Sequence, residues 1–109
     1  MKRTNISSGT PWESIVGYSR AVRVGPFVHV AGTTAVNGDG DLVGADDPYA
    51  QTAFILKKIE TALQNAGAEL TDVVRTRIYV TDVTDWDEVA RAHGEVFGQI
   101  RPAATLVEV

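Results

Sequence analysis

The most regular alternation of apolar and polar positions runs through VVRTRIYVTD, residues 73–82. Val74, Thr76, Ile78 and Val80 fall on one face, and Val73, Arg75, Arg77 and Tyr79 on the other, a period of two that predicts a strand. SRAVRV and FVHVAGTT alternate in the same way around the turn signal Gly25-Pro26 and predict a hairpin. The Gly- and Asp-rich stretch NGDGDLVGADD then reads as a loop. A helix follows, with Asp47 as N-cap and Pro48 in the first helical position. Leu56, Ile59, Leu63 and Ala66 keep helical spacing up to a stop at Gly67. A second helix is expected from Thr84, where Thr84 to Asp87 resembles a capping box, with its apolar stripe on Trp86, Val89, Ala90, His93, Val96, Phe97 and Ile100. ATLVEV ends the sequence as a strand, and Arg3–Ile6 adds a short one at the start.

The resulting order is β-β-α-β-α-β, in which two helices cover one face of a mixed sheet, an α+β layer. The opposite face mixes Arg75, Arg77 and Tyr79 with smaller residues. It is expected to be solvated or to meet another subunit. Arg75 and Arg77 point the same way, and on such an interface they need partners, for which Glu108 is a candidate.

Composition narrows the class. A chain of 109 residues, 44% hydrophobic and 22% charged, is an ordinary globular composition and predicts a single domain over residues 1–109. The net charge of -4 argues against a nucleic-acid partner, which usually meets a basic face. The absence of cysteine removes thiolate catalysis and fits a reducing compartment. Neither a signal peptide nor a run of about 18 apolar residues is found, so the expected location is cytoplasmic, with no membrane contact.

Most chemical motifs fail. Asp39 and Asp41 open something like a calcium loop, but Val43 and Ala50 stand where its later ligands belong. No phosphate-cradling glycine motif or nucleophile elbow occurs, and His29 and His93 lack metal-ligand spacing, so no metal or cofactor is implied. His93, on the apolar stripe, reads as a partly buried side chain satisfying one hydrogen bond.

Three further stretches occur in a specific order: GYSRAVRVGPFVHVAGTTA, DVVRTRIYVTDVTDWDEV and IRPAATLVEV. Together they resemble the Rid family (RidA/YjgF, also called L-PSP) over about residues 14–109. The resemblance implies a chorismate mutase-like α+β fold assembled as a homotrimer, with a small molecule bound at subunit interfaces. It also implies hydrolysis of reactive enamines and imines to a keto acid and ammonia. Tyr18 matches the family's pocket tyrosine and Gly32 the glycine whose backbone faces the ligand. The carboxylate-clamping arginine of the family corresponds to Ala104, its helix asparagine to Ala90 and a neighbouring aromatic to His93. Thr105 follows at the clamp, and the family's acidic residue and last strand would lie past Val109.

The resemblance thus makes an enamine or imine deaminase the leading expectation, with Arg77 or Arg101 as a displaced cation. The substrate-binding set is Tyr18, Gly32, Thr105, Arg77 and Arg101; no catalytic residue is assigned. A non-catalytic trimeric binding module is the alternative. An endoribonuclease or translation inhibitor fits less well, because the acidic chain lacks a His/Lys cluster.

Overall fold

The computed structural model describes all 109 residues. β1 (Arg3–Ile6), β2 (Ala21–Val24) and β3 (Phe27–Val30) form an antiparallel sheet in that order. β4 (Arg75–Val80) and β5 (Ala103–Glu108) form a parallel pair. Between them in sequence come α1 (Pro11–Val16) and α2 (Pro48–Asn65), while α3 (Trp86–Phe97) joins β4 to β5. The α+β class expected from the alternation is therefore observed, with its ladders divided between two sheets and a short additional helix, α1.

The local chemistry explains most boundaries. Asp47 accepts from the backbone of Ala50 at 3.0 Å, which satisfies one of the free N–H groups at the start of α2, and Pro48 needs none. The expected capping box at Thr84 is not formed. Asp82 takes the role instead, accepting from both the backbone and the hydroxyl of Thr84, at 3.0 and 2.6 Å. A short 3-10 turn, Val83–Asp85, then leads into α3. The ladder of β3 also ends earlier than FVHVAGTT suggests: Ala31 makes one more bond, to Arg20, and the Thr33 hydroxyl then folds back on the Ala31 carbonyl.

The alternation in β4 survives in the burial. Thr76, Ile78 and Val80 are half-buried, while Arg75, Arg77 and Tyr79 are exposed. Val74, expected on the inner side, is exposed just before the strand begins. The core is small and lies where the two long helices meet: Leu56, Ala62, Leu63 and Ala66 come from the α2 region, and Val89, Ala92 and Phe97 from α3. Burying each of the larger side chains contributes about 1.5–3 kcal/mol. The small alanines let the two helices approach closely.

One polar contact fixes the hairpin to this layer. Arg23 on β2 donates through Nη1 to the Ala66 carbonyl at 2.8 Å and through Nε to Gly25 at 3.1 Å. It thereby satisfies a carbonyl that the end of α2 leaves free. The backbone there turns through Gly67 at φ +80, and a Cβ on that residue would stand 2.8 Å from the Arg23 guanidinium. Replacing Arg23 with Met keeps the apolar stem and removes both bonds. Urea unfolding should report a loss of about 2 kcal/mol with an unchanged m-value, the usual scale for hydrogen bonds from a charged donor.

Candidate functional site

One concave region is a cavity of about 500 Å³ on the β1–β3 sheet. Asn5, Val22 and His29, which stand in register on the three strands, form its floor. Glu13, Ser14 and Gly17 from α1 form one wall, with Tyr18, Ser19 and Ala31 beside them. Tyr18 is placed there by the end of α1. Gly17 adopts φ +87, a left-handed conformation that glycine takes without strain, and both Gly17 and Tyr18 bond back to the Glu13 carbonyl, at 2.9 and 3.0 Å. The Glu13 carboxylate accepts from the hydroxyl and the backbone N–H of Ser8. Those bonds hold its pKa below the ordinary carboxylate value.

The second region, of about 350 Å³, lies between α3 and the β4–β5 pair. Ile78, Leu106, Trp86, Ala90 and Ala104 give it an apolar lining, with His93 and Thr105 as its polar members. His93 Nε2 lies 3.0 Å from the Thr76 hydroxyl, and its ring stacks at a tilt on Phe97 with centroids 4.7 Å apart. The single satisfied hydrogen bond expected for this histidine is therefore present. Ala90 and Ala104 contribute only methyl groups, so this cleft receives no positive charge from either.

The five residues expected to bind substrate are not gathered in one cavity of the chain. Tyr18 lines the sheet-face cavity and Thr105 the helix-side cleft, while Gly32, Arg77 and Arg101 line neither. Thr105 accepts a hydrogen bond from Arg75. Arg77 lies exposed opposite Thr105 in the ladder and forms no ion pair; nor does Arg75 meet Glu108, since Lys57–Glu60 is the only ion pair in the molecule. Arg101 is occupied in the turn after α3, where it adopts φ 57 and donates through Nε to the Gly98 carbonyl at 3.2 Å. No group of three or more His, Cys, Asp or Glu side chains comes together as a metal site would require. Sequence reasoning missed a further cation, Arg20. Its Nη2 donates to the Gly32 carbonyl at 2.6 Å, and its Cζ lies 6.0 Å from the centre of the Tyr18 ring.

Comparison with known proteins shows the family of the chain. Residues 9–109 match the family described as Endoribonuclease L-PSP. The chain belongs to the Rid (YjgF/L-PSP) family. Its fold superposes with a TM-score of 0.88 on a crystal structure from Mycobacterium tuberculosis described as a member of the YjgF/YER057c/UK114 family. That protein is 56% identical, and the match covers 99% of this chain and 85% of the other. An uncharacterized protein from Streptomyces coelicolor is 43% identical over 95% of this chain and 77% of its own length. The 3-aminoacrylate deaminase RutC of Acinetobacter baylyi is 32% identical, over 99% and 85% respectively.

In this Rid protein the helix-side cleft carries a pH signature. Burial of His93 lowers its pKa from 6.5, because the charged imidazolium loses solvation there. The unfolded chain then binds the proton more readily than the folded one. His93 costs nothing above pH 6.5 and subtracts stability as pH falls through 6.5 toward its folded value. Unfolding midpoints should drop between pH 7.5 and pH 5.5 in the native protein. In His93→Gln, which keeps a partner for Thr76 but cannot charge, that drop should shrink. An equal drop in both proteins would remove His93 as its cause.

Proposed function

We propose that this Rid-family protein is a hydrolytic deaminase of small enamines and imines, working in the cytoplasm as a homotrimer. The observation that carries this reading is the Tyr18-lined cavity beside the Ala31-Gly32 strand end, found in a chain 32% identical to a 3-aminoacrylate deaminase. The reaction needs no redox partner. The enamine first tautomerises to the imine, and the water oxygen bonds to the imine carbon while the C=N pair moves to nitrogen, which takes a proton. The resulting carbinolamine collapses: the hydroxyl gives up its proton to nitrogen, C=O forms and ammonia leaves. One water is consumed for each ammonia released. Tyr18 is suited to exchange a proton with the substrate nitrogen, since a phenol both donates and accepts.

Assembly is supported by the apolar surface of the isolated chain. Trp12, Ile15 and Val16 on α1 are each more than 60% exposed, and so are Tyr79 on β4 and Phe27 on β3. Apolar area on this scale marks an interaction surface. Further copies of the chain would cover it, bringing the Tyr18 cavity of one subunit near the Ala104 cleft of another. RNA cleavage, which the family description names, has less support: the chain carries 14 acidic against 10 basic residues, and His29 and His93 line different cavities. A specific observation favours a second reading, a binding module without chemistry. The helix-side cleft offers only methyl groups at Ala90 and Ala104, and the resemblance implies an arginine at the latter.

Two measurements test the proposal. Light scattering at micromolar concentration should return about three times the monomer mass of 11.7 kDa. A monomer would sink the interface reading. Purified protein added to 2-iminobutanoate generated in situ should accelerate ammonia release above the spontaneous rate, and Tyr18→Phe should reduce that acceleration by about 100-fold, the lower range for loss of an acid–base group. A trimer without any acceleration leaves the binding-module reading.

A further inference from the structure

Arg20 and Lys58 bring two positive charges to one short run of chain, residues 31–36. Arg20 bonds the Gly32 carbonyl, and Lys58 Nζ donates to the carbonyls of Thr34 and Val36 at 3.0 and 2.8 Å. No carboxylate joins them, since the one ion pair of the molecule lies elsewhere. The pKa of Lys58 is lowered first by burial and then by the charge of Arg20. Arg20 is half-buried, and its Nε is enclosed without any hydrogen-bond partner. A guanidinium offers five N–H donors, and the Gly32 carbonyl is the only acceptor found for them. Carbonyl dipoles accept hydrogen bonds but do not neutralise charge. Two adjacent cations drawn partly out of water without a counter-charge are costly, and an anion relieves that cost.

Arg20 stands at the edge of the cavity. Tyr18, Ser19 and Ala31 line it, together with Arg3, whose Nε is engaged by the Asn5 side chain at 2.9 Å; Arg20 and Gly32 stand just outside the lining, with the Arg20 Cζ 6.0 Å from the centre of the Tyr18 ring and its Nη2 2.6 Å from the Gly32 carbonyl. The space beside Gly32 is open: a Cβ built there would meet no atom within 4 Å. A planar fork next to an unobstructed backbone is the arrangement that suits a carboxylate. Arg77 and Arg101 lack this setting, the first standing on the other sheet and the second engaged with Gly98.

We propose that Arg20, at the Gly32 edge of the Tyr18 cavity, binds the carboxylate of the small imino, enamino or keto acids that the deaminase reading implies. The chemistry of these ligands rests on the deaminase reading, whereas carboxylate binding can be measured without it. The probes are 2-oxobutanoate, the keto acid that 2-iminobutanoate would yield, and butanone, which lacks the carboxylate. Titration of the intact protein followed by NMR should give tighter binding of 2-oxobutanoate than of butanone. Arg20→Gln keeps an amide donor for the Gly32 carbonyl and removes the charge. It should weaken 2-oxobutanoate about 10-fold or more and leave butanone unchanged, and Arg20→Lys should recover part of the loss. A merely structural role would move both ligands together, or neither, with the thermal midpoint reporting any damage to the fold. Equal affinity of the native protein for the two probes would overturn the proposal without any variant. So would unchanged 2-oxobutanoate binding in Arg20→Gln. Carboxylate binding without ammonia release would leave Arg20 its role and remove the deaminase reading alone.

Discussion

The β1–β3 sheet and the β4–β5 pair share no ladder, so the seam where α2 meets α3 has to hold the two halves together. Seven of the nine buried residues lie in or just beyond those two helices. Everything else is referred to that seam. Arg23 ties the hairpin to the C-terminal end of α2, and Lys58 ties the 31–36 segment to its middle. The Thr76–His93 contact ties β4 to α3. These attachments are side-chain bonds to a rigid helical layer, so a change in any of them would tilt a sheet rather than unpick a ladder.

This economy has a consequence for the site. A domain of this size buries a limited fraction of its surface in any case, and here the outer faces of both sheets stay open. The sheet-face cavity lies on the β1–β3 sheet and the helix-side cleft between α3 and the β4–β5 pair, each with part of what the chemistry needs. One has a phenol, a carboxylate and the Arg3 guanidinium; the other is a mainly apolar slot of about 350 Å³. Association of copies is the economical way to bring such halves together, because it covers the exposed aromatic and aliphatic groups in the same step.

Features carried by local chemistry were legible in the sequence. The period of two predicted β2, β3, β4 and β5, and Asp47-Pro48 marked the start of α2 correctly. α1 was missed because PWESIV is too short to establish a period and exposes Trp12, Ile15 and Val16 rather than burying a stripe. Thr84 was taken for a cap because the pattern allowed it; Asp82, two residues earlier, wins by accepting two bonds at once. His93 was read correctly as satisfied, since an apolar stripe leaves a histidine one ready use, although its partner Thr76 is 17 positions away.

Arg20 illustrates where such reading stops. Within YSRAV it looks like any exposed strand residue, and alternation assigns it only a side. Its significance comes from Gly32, 12 positions on, and from Lys58 on a different element, neither linked to it by any period in the chain. A search for a replacement cation that follows the strand pattern finds Arg77, because it alternates visibly with Arg75. In three dimensions those two are the less suited: Arg75, which bonds the Thr105 hydroxyl, and Arg77 both stand exposed to solvent, where a surface ion pair contributes about 0–1 kcal/mol. Selectivity for a small anion depends on the opposite condition, a cation already partly stripped of water and short of partners. Arg20 meets it, and its charge acts with that of Lys58 on the same few residues of backbone.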